Sequence, residues 1–299
     1  MPASERPEPD AGTGAPPRPG RPRGIRPARS TAAARRGRMP AALVVVAILA
    51  LAVLMLPLVA LVVRAPWADL PALVTSAPVL EALRLSLVTA TIATVVCLAL
   101  GVPLAVLLAH SADAPAPLRR LLRAAVTVPL LLPPVVGGIA LLLLLGRRGL
   151  IGGWLAETWG VTIPFTTGAV VIAQVFVSMP FLVFAVEGAL SGADRRVEQA
   201  AATLGASRWQ VFRHVTLPLV APGVAAGAVL CFTRALGEFG ATITFAGSLP
   251  GVTRTLPVAS YLALQSDPDE AIAIALLLLA VAVAVLLLLR DRWVPGVRA

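Results

Sequence analysis

The chain has 299 residues, of which 58% are hydrophobic and only 13% charged, and its formal net charge is +10. Soluble domains carry about 25% charged residues, so this composition excludes an ordinary soluble protein and predicts a polytopic membrane protein. The sequence contains no lysine. This excludes the phosphate-binding loop of nucleotide hydrolases, whose lysine reaches the nucleotide phosphates. Any nucleotide energy must therefore come from another chain.

The first part of the chain, residues 1–38, is rich in Pro, Arg, Ala and Gly, and a disordered cytoplasmic tail is predicted there. Residues 1–40 hold nine arginines and three acids, so much of the basic excess belongs to this tail. A nucleic-acid-binding protein would need a folded basic face with aromatic or polar readers, and none is expected. A cleaved signal peptide is disfavoured because its basic and apolar regions would both be too long.

Residues 39–290 are predicted to form an all-α transmembrane domain, and 291–299 a short cytoplasmic tail. About 20 apolar residues cross a bilayer as a helix, and in lipid the backbone must satisfy its own hydrogen bonds. Six segments meet this length, and we place the spans at 42–63, 83–109, 125–145, 168–189, 217–238 and 271–290. Pro133-Pro134, followed by Gly137-Gly138, predicts a break in the third span, and Ser178-Met179-Pro180 predicts a kink in the fourth.

The arginines predict the orientation of the spans. With six spans, 19 arginines fall on the side of both termini and five on the other. Positive charge is retained in the cytoplasm, so both termini are predicted to be cytoplasmic. The segment between the fourth and fifth spans is then cytoplasmic, and the loop 247–270 lies outside.

That cytoplasmic segment, residues 194–216, is predicted to be an elbow of two short helices at an angle. Asp194 is suited to cap the first helix, Gly205 to end it, and Ser207 with Gln210 to form a capping box for the second. One face of the first helix is apolar and small, formed by Val197, Ala200, Ala201 and Leu204. The elbow could rest on lipid as an interfacial helix, or it could dock a cytoplasmic partner.

The elbow resembles the EAA loop of ABC-importer permeases, E-A-A-x3-G-x9-I-x-L-P. The matching residues are Gln199-Ala200-Ala201, Gly205 and Val215-Thr216-Leu217-Pro218, with Gln199 and Val215 as mild departures from Glu and Ile. The resemblance implies a type I ABC importer permease fold and a coupling helix that sits in a groove of an ATPase subunit. The coupling residues it implies are Glu198, Gln199, Ala200, Ala201, Gly205, Ser207, Phe212, Leu217 and Pro218.

The same resemblance implies the assembly. It consists of two copies of this chain, two ATP-binding subunits and a substrate-binding protein, in the bacterial plasma membrane. The outer loop 247–270 would receive the binding protein. This chain would carry no cofactor and catalyse no reaction, because ATP is bound and hydrolysed by the partner subunit.

The stretch that follows resembles molybdate permeases, in residues 237–242 (GEFGAT) and 254–257 (RTLP). The resemblance implies import of molybdate, with tungstate not separable from it; a sulfate or thiosulfate permease is the alternative. The candidate translocation path consists of Arg234, Glu238, Gly240, Thr242 and Thr244. Arg234 and Glu238 are four residues apart, so they could instead be a buried pair that orients the helix. A secondary transporter, the remaining alternative, would need several intramembrane carboxylates and repeat symmetry.

Four polar side chains lie at or within the spans without a clear role. Cys97 and Cys231 each occur singly in an apolar run, which predicts buried packing and no disulfide or metal site. Glu187 ends the fourth span, either as an interfacial charge or in contact with the elbow. His110 is predicted to be an interfacial polar residue.

Overall fold

The computed structural model describes residues 41–111 and 114–290, and every regular element in this part of the chain is a helix. The predicted tails, 1–38 and 291–299, lie outside the described residues. The helices are α1 Ala41–Val63, α2 Leu70–Val74, α3 Ala77–His110, α4 Ala116–Leu131, α5 Pro134–Leu145, α6 Gly152–Trp159, α7 Thr167–Gly192, α8 Arg195–Thr203, α9 Arg208–Val211, α10 Leu217–Leu236, α11 Gly240–Phe245, α12 Leu256–Ala263 and α13 Pro268–Arg290, with a π-helical turn at Phe212–Thr216.

The chain divides into two compact units, residues 1–54 and 55–299. In the first unit the described residues, 41–54, all belong to α1. The second unit contains the rest of α1 and every other helix. The elbow and the candidate translocation path both lie in this second unit.

The predicted all-α membrane architecture is confirmed. Five helical stretches of the described chain are long and apolar enough to cross a membrane: α1, α3, α7, the continuous run Arg208–Leu236 and α13. A sixth crossing is possible if α4 and α5 together count as one broken span. The chain is therefore a multi-pass membrane protein.

The predicted third span, 125–145, is interrupted at Pro133-Pro134, and it corresponds to the end of α4 together with α5. α4 and α5 meet at an angle of 115°. Leu132 and Pro133 between them are both extended, with ψ angles of 134° and 136°. Two consecutive prolines remove two backbone donors and push the residue before them out of the helical region. The break expected at Pro133-Pro134 is thus confirmed, and it is sharp enough to redirect the chain. In α7, by contrast, the helix continues through Pro180 without interruption.

Helices α3, α7 and α10 form the centre of the bundle. Gly223 and Gly227 lie on one face of α10, where a Cβ atom would meet the Ala189 Cβ at 2.3 Å and the Ala185 Cβ at 3.1 Å. Small residues four apart allow two helix backbones to approach closely, which drives association in lipid because burial from water cannot. This contact holds the N-terminal half of α10 closely against α7.

Candidate functional site

The elbow is built from the local signals expected of it. The Asp194 side chain accepts a hydrogen bond from Arg196 N at 2.9 Å and caps α8. Ser207 and Gln210 form the reciprocal capping box at the start of α9. Gly205 has φ of +87°, the left-handed region in which a side chain would be strained. These three local predictions are confirmed.

The second elbow helix, however, is not a separate element. α9 continues through the π-helical turn Phe212–Thr216 into α10, so that Arg208–Leu236 is one helical run. Pro218 has no N–H to donate to the His214 carbonyl. One residue earlier, Leu217 N bonds five residues back to Phe212 O, which is the hydrogen bond of a π-helix. The elbow is therefore α8 hinged at Gly205 on an N-terminal extension of α10.

The elbow presents an apolar surface without a partner in the described chain. Leu204 is 88% exposed and Trp209 65%, and Val197 is also exposed. The Trp209 and Phe212 rings pack together with centroids 5.5 Å apart. Of the predicted coupling residues, Gln199, Ala200, Gly205, Ser207 and Pro218 are exposed, and Glu198, Ala201, Phe212 and Leu217 are half-buried. Such a patch is typical of an interaction surface.

Glu198 does not point into solvent with its neighbours. Its Oε1 accepts a hydrogen bond of 2.6 Å from the Thr216 hydroxyl, which joins α8 to the π-helical turn. Thr216 is only 4% exposed. Sequence reasoning missed Thr216 because the EAA pattern leaves its position unspecified.

Glu187 forms an ion pair with Arg123 of α4, with Oε1 2.7 Å from Nη2. Its side chain is buried and the same residue's carbonyl accepts a hydrogen bond from Ser191. The expectation of a contact with the elbow is not met in the described contacts. Glu187 instead ties α7 to the first half of the broken pair. His110, at the end of α3, is exposed and its Nδ1 bonds the Val106 carbonyl.

Arg234 and Glu238 form a salt bridge of 2.5 Å between Nη1 and Oε2. The other carboxylate oxygen, Oε1, accepts a hydrogen bond of 2.8 Å from Ala241 N. Glu238 is 1% exposed, and the Arg234 side chain retains 28% of its exposure. Glu238 therefore caps α11 while it is held by the last turn of α10, where a cation is also favoured by the helix dipole. The pair joins two helices, as the packing interpretation expects.

The other candidate path residues sit where α11 packs on α5. A Cβ atom on Gly240 would lie 2.8 Å from Pro134 Cβ, and one on Gly138 would lie 2.8 Å from Thr244 Cβ. Thr244 donates its hydroxyl proton to the Gly240 carbonyl. Thr242 is fully buried, and its hydroxyl has no partner in the described part of the chain. Thr242 does not line an opening in this conformation, and the transport role of these residues stays a prediction.

The two cysteines, 134 positions apart, come together. The Cys97 and Cys231 sulfurs lie 3.7 Å and 3.4 Å from the Ser178 hydroxyl, at the junction of α3, α7 and α10. Both are free and fully buried, so buried packing is confirmed, but as a shared cluster and not as two isolated residues. Their sequence context held no signal of this convergence.

Comparison with known proteins extends these findings. The family model for the binding-protein-dependent transport system inner membrane component matches residues 101–299. The molybdenum transport system permease protein ModB of Mycobacterium tuberculosis is 54% identical over 217 residues, 73% of this chain and 81% of that protein. The sulfate transport system permease protein CysT of Escherichia coli is 36% identical over 216 residues, 71% of this chain and 76% of that protein.

The fold has a counterpart among solved structures. A bacterial alginate ABC transporter, crystallised in complex with a periplasmic protein bound to an alginate pentasaccharide, superposes with a TM-score of 0.68. The alignment covers 86% of this chain and 95% of that chain at 18% identity, which supports the fold alone. Taken with the family match and the relatives, the helical architecture leads to one conclusion: this chain belongs to the family of binding-protein-dependent transport system inner membrane components.

Proposed function

We propose that this chain is the membrane-spanning permease subunit of an ATP-driven importer for molybdate, with tungstate as an equivalent substrate. The observation that carries the substrate is the 54% identity to a molybdenum transport permease, against 36% to a sulfate transport permease. Molybdate and tungstate are tetrahedral dianions of nearly equal size, so one pathway would accept both.

The proposed complex contains two copies of this chain, two ATP-binding subunits and an external substrate-binding protein, in the bacterial inner membrane. The exposed apolar elbow, α8 with Leu204 and Trp209, supports a cytoplasmic partner at this surface. The absence of lysine from the sequence supports ATP hydrolysis on a separate chain. Both termini would be cytoplasmic.

In this mechanism the chain needs no tight anion site of its own. ATP binding would move the elbows, and a two-state bundle would change the side to which it opens. Glu238 has both carboxylate oxygens engaged within the protein, so it does not present an unpaired negative charge to the anion. The binding protein would select the ion.

The test is uptake of radiolabelled molybdate by the complete complex in liposomes, with binding protein outside and ATP inside. We expect ATP-dependent uptake that excess unlabelled tungstate abolishes and the same excess of sulfate leaves unchanged. A non-hydrolysable ATP analogue serves as the control. Uptake of labelled sulfate that molybdate fails to displace would instead establish the sulfate permease, and uptake without ATP would establish a secondary transporter.

A further inference from the structure

We propose that the hydrogen bond between Glu198 and Thr216 is the mechanical clasp through which α8 moves α10, and that both are positioning residues for transport. This inference rests on the proposed function. Its evidence is the geometry of the elbow, the π-helical turn and the far end of α10.

The first observation is the cavity that the described residues leave on the inner side of α8. A cavity of about 520 Å³ lies between this helix and the end of α3, lined by Val106, His110, Ala202 and Phe212 among others. Glu198 and Thr216 both border it. A helix backed by a cavity transmits displacement poorly through packing, because its lining atoms lack partners on one side. The 2.6 Å hydrogen bond crosses from α8 to the root of α10 at this point.

The second observation is the setting of Thr216. It is buried in the last position of the π-helical turn, directly before α10. A single π-helical turn within an α-helix is often found at a functional position, since it carries one residue more than a regular turn. A charged acceptor makes this hydrogen bond stronger than a neutral one. A pull on Glu198 would therefore act on the residue directly before α10.

The third observation is the other end of α10. Arg234 in its last turn holds Glu238, and Glu238 in turn caps α11, whose Gly240 packs directly on Pro134 of α5. The 20-residue helix α10 spans about 30 Å between these two attachments. Displacement of α8 would thus reach the α5–α11 contact through a rigid helix held at both ends by carboxylate bonds.

The experiment compares Thr216→Val, which removes the hydroxyl at nearly constant shape, with Thr216→Ser, which keeps it. Thr91→Val is the control, because within the described chain the Thr91 hydroxyl donates to the Leu87 carbonyl of its own helix and bonds no second helix. In the complete complex we expect Thr216→Val to reduce molybdate uptake per ATP hydrolysed by about tenfold, the equivalent of one hydrogen bond to a charged group. Thr216→Ser should restore the wild-type ratio. Hydrogen exchange across 195–203 should accelerate only in Thr216→Val.

Two results would contradict the proposed role of the Glu198–Thr216 hydrogen bond. One is an unchanged ratio of molybdate uptake to ATP hydrolysis in Thr216→Val, and the other is an equal loss of this ratio in Thr216→Val and Thr91→Val. If Thr216→Val does not accumulate, Glu198→Ala against Glu198→Gln asks the same question, since the Gln oxygen can still accept the bond. Failure of the proposed function would give a different result from failure of this inference. The wild-type complex would then take up no molybdate, while the difference in hydrogen exchange between Thr216→Val and the wild type would still be measurable.

Discussion

At the scale of the residue, three carboxylates act as links between helices. Glu187 bonds Arg123, Glu198 bonds Thr216, and Glu238 bonds Arg234 together with a backbone amide. Burying a carboxylate is costly unless its oxygens are hydrogen-bonded, and each of these three has found a partner on another element or turn. Their common function in the fold is to join segments that lie far apart in the chain or across a break.

The Arg234–Glu238 pair yields the first prediction. Arg234→Ala leaves Glu238 buried without its cation, so we expect a loss of about 3–5 kcal/mol in stability. Thermal unfolding of the purified protein and its abundance in membranes should fall together. Adding Glu238→Gln should recover part of this loss, because the amide is uncharged. Normal abundance with slow uptake in Arg234→Ala would instead favour a direct role in the anion path.

Gly240 carries the second prediction, because its missing side chain is what lets α11 approach α5. Gly240→Ala would place a methyl group 2.8 Å from Pro134 Cβ and 3.1 Å from Val135 N, and rigid proline and backbone atoms cannot easily move away. We expect a loss of about 1–3 kcal/mol. Gly188→Ala is the matched control, since nothing lies within 4 Å of a Cβ there. Equal melting temperatures for the two variants would contradict the tight contact.

At the scale of the element, the elbow is a short capped helix hinged on a long one. The hinge at Gly205 is left-handed, and the long partner reaches from Arg208 to Leu236 through one π-helical turn. The caps set the ends of α8 and α9 independently of the membrane. The direction in which α8 points is then decided by Gly205 and by the Glu198–Thr216 bond.

Leu204 carries the third prediction. With 88% of its surface exposed, Leu204→Asp removes almost no internal contact, so the melting temperature of the isolated permease should not change. Association with the ATP-binding subunit should be lost, because a charge would enter an apolar contact. Co-purification from membranes measures this. Leu150→Asp, at 86% exposure in the loop after α5, is the control and should still assemble.

Gly205 carries the fourth prediction. Its Cβ position is open, with nothing within 4 Å, so substitution acts only through the backbone at φ +87°. Gly205→Ala should reorient α8 at a strain of about 1–2 kcal/mol and lower molybdate uptake, whereas Gly205→Asn should retain more activity because Asn tolerates this region better. Uptake per ATP hydrolysed is the measurement. Equal activity in both variants would show that the left-handed turn is not required.

At the scale of the whole molecule, the bundle consists of a central trio, α3, α7 and α10, with a broken pair, α4 and α5, beside it. Helix α5 packs against α7, which belongs to the trio, and against α11. The trio is packed through glycines and alanines and buries the Cys97–Ser178–Cys231 cluster at its junction.

The fifth prediction concerns topology and uses the buried cysteines. Both native thiols are fully buried, so they should not react with a membrane-impermeant maleimide. Thr203→Cys, exposed on α8, should then be labelled only in inside-out vesicles, and Ser266→Cys, exposed in the loop before α13, only in intact spheroplasts. Labelling of Thr203→Cys from outside would reverse the proposed orientation and remove the elbow from the cytoplasm.

Much of the site could be predicted because its signals are local. Asp194, Gly205 and the Ser207–Gln210 box each act within a few residues, so the caps and the hinge of the elbow could be predicted. The π-helical continuation of α9 into α10 escaped prediction because Pro218 can either open a helix or be accommodated inside one. The Glu198–Thr216 bond escaped because its partners lie 18 residues apart on two different helices.

By itself, the sequence determined that the chain is an all-α membrane protein with a capped elbow between its fourth and fifth spans, since hydropathy, capping and backbone hydrogen bonding depend on nearby residues alone. Only the tertiary structure decided that Glu187 pairs with Arg123, that Cys97 meets Cys231 at Ser178, and that the α4–α5 break turns through 115°. These outcomes depend on how helices pack in three dimensions. In lipid, that packing is selected by small residues and polar contacts spread across the whole chain, which no local window can register.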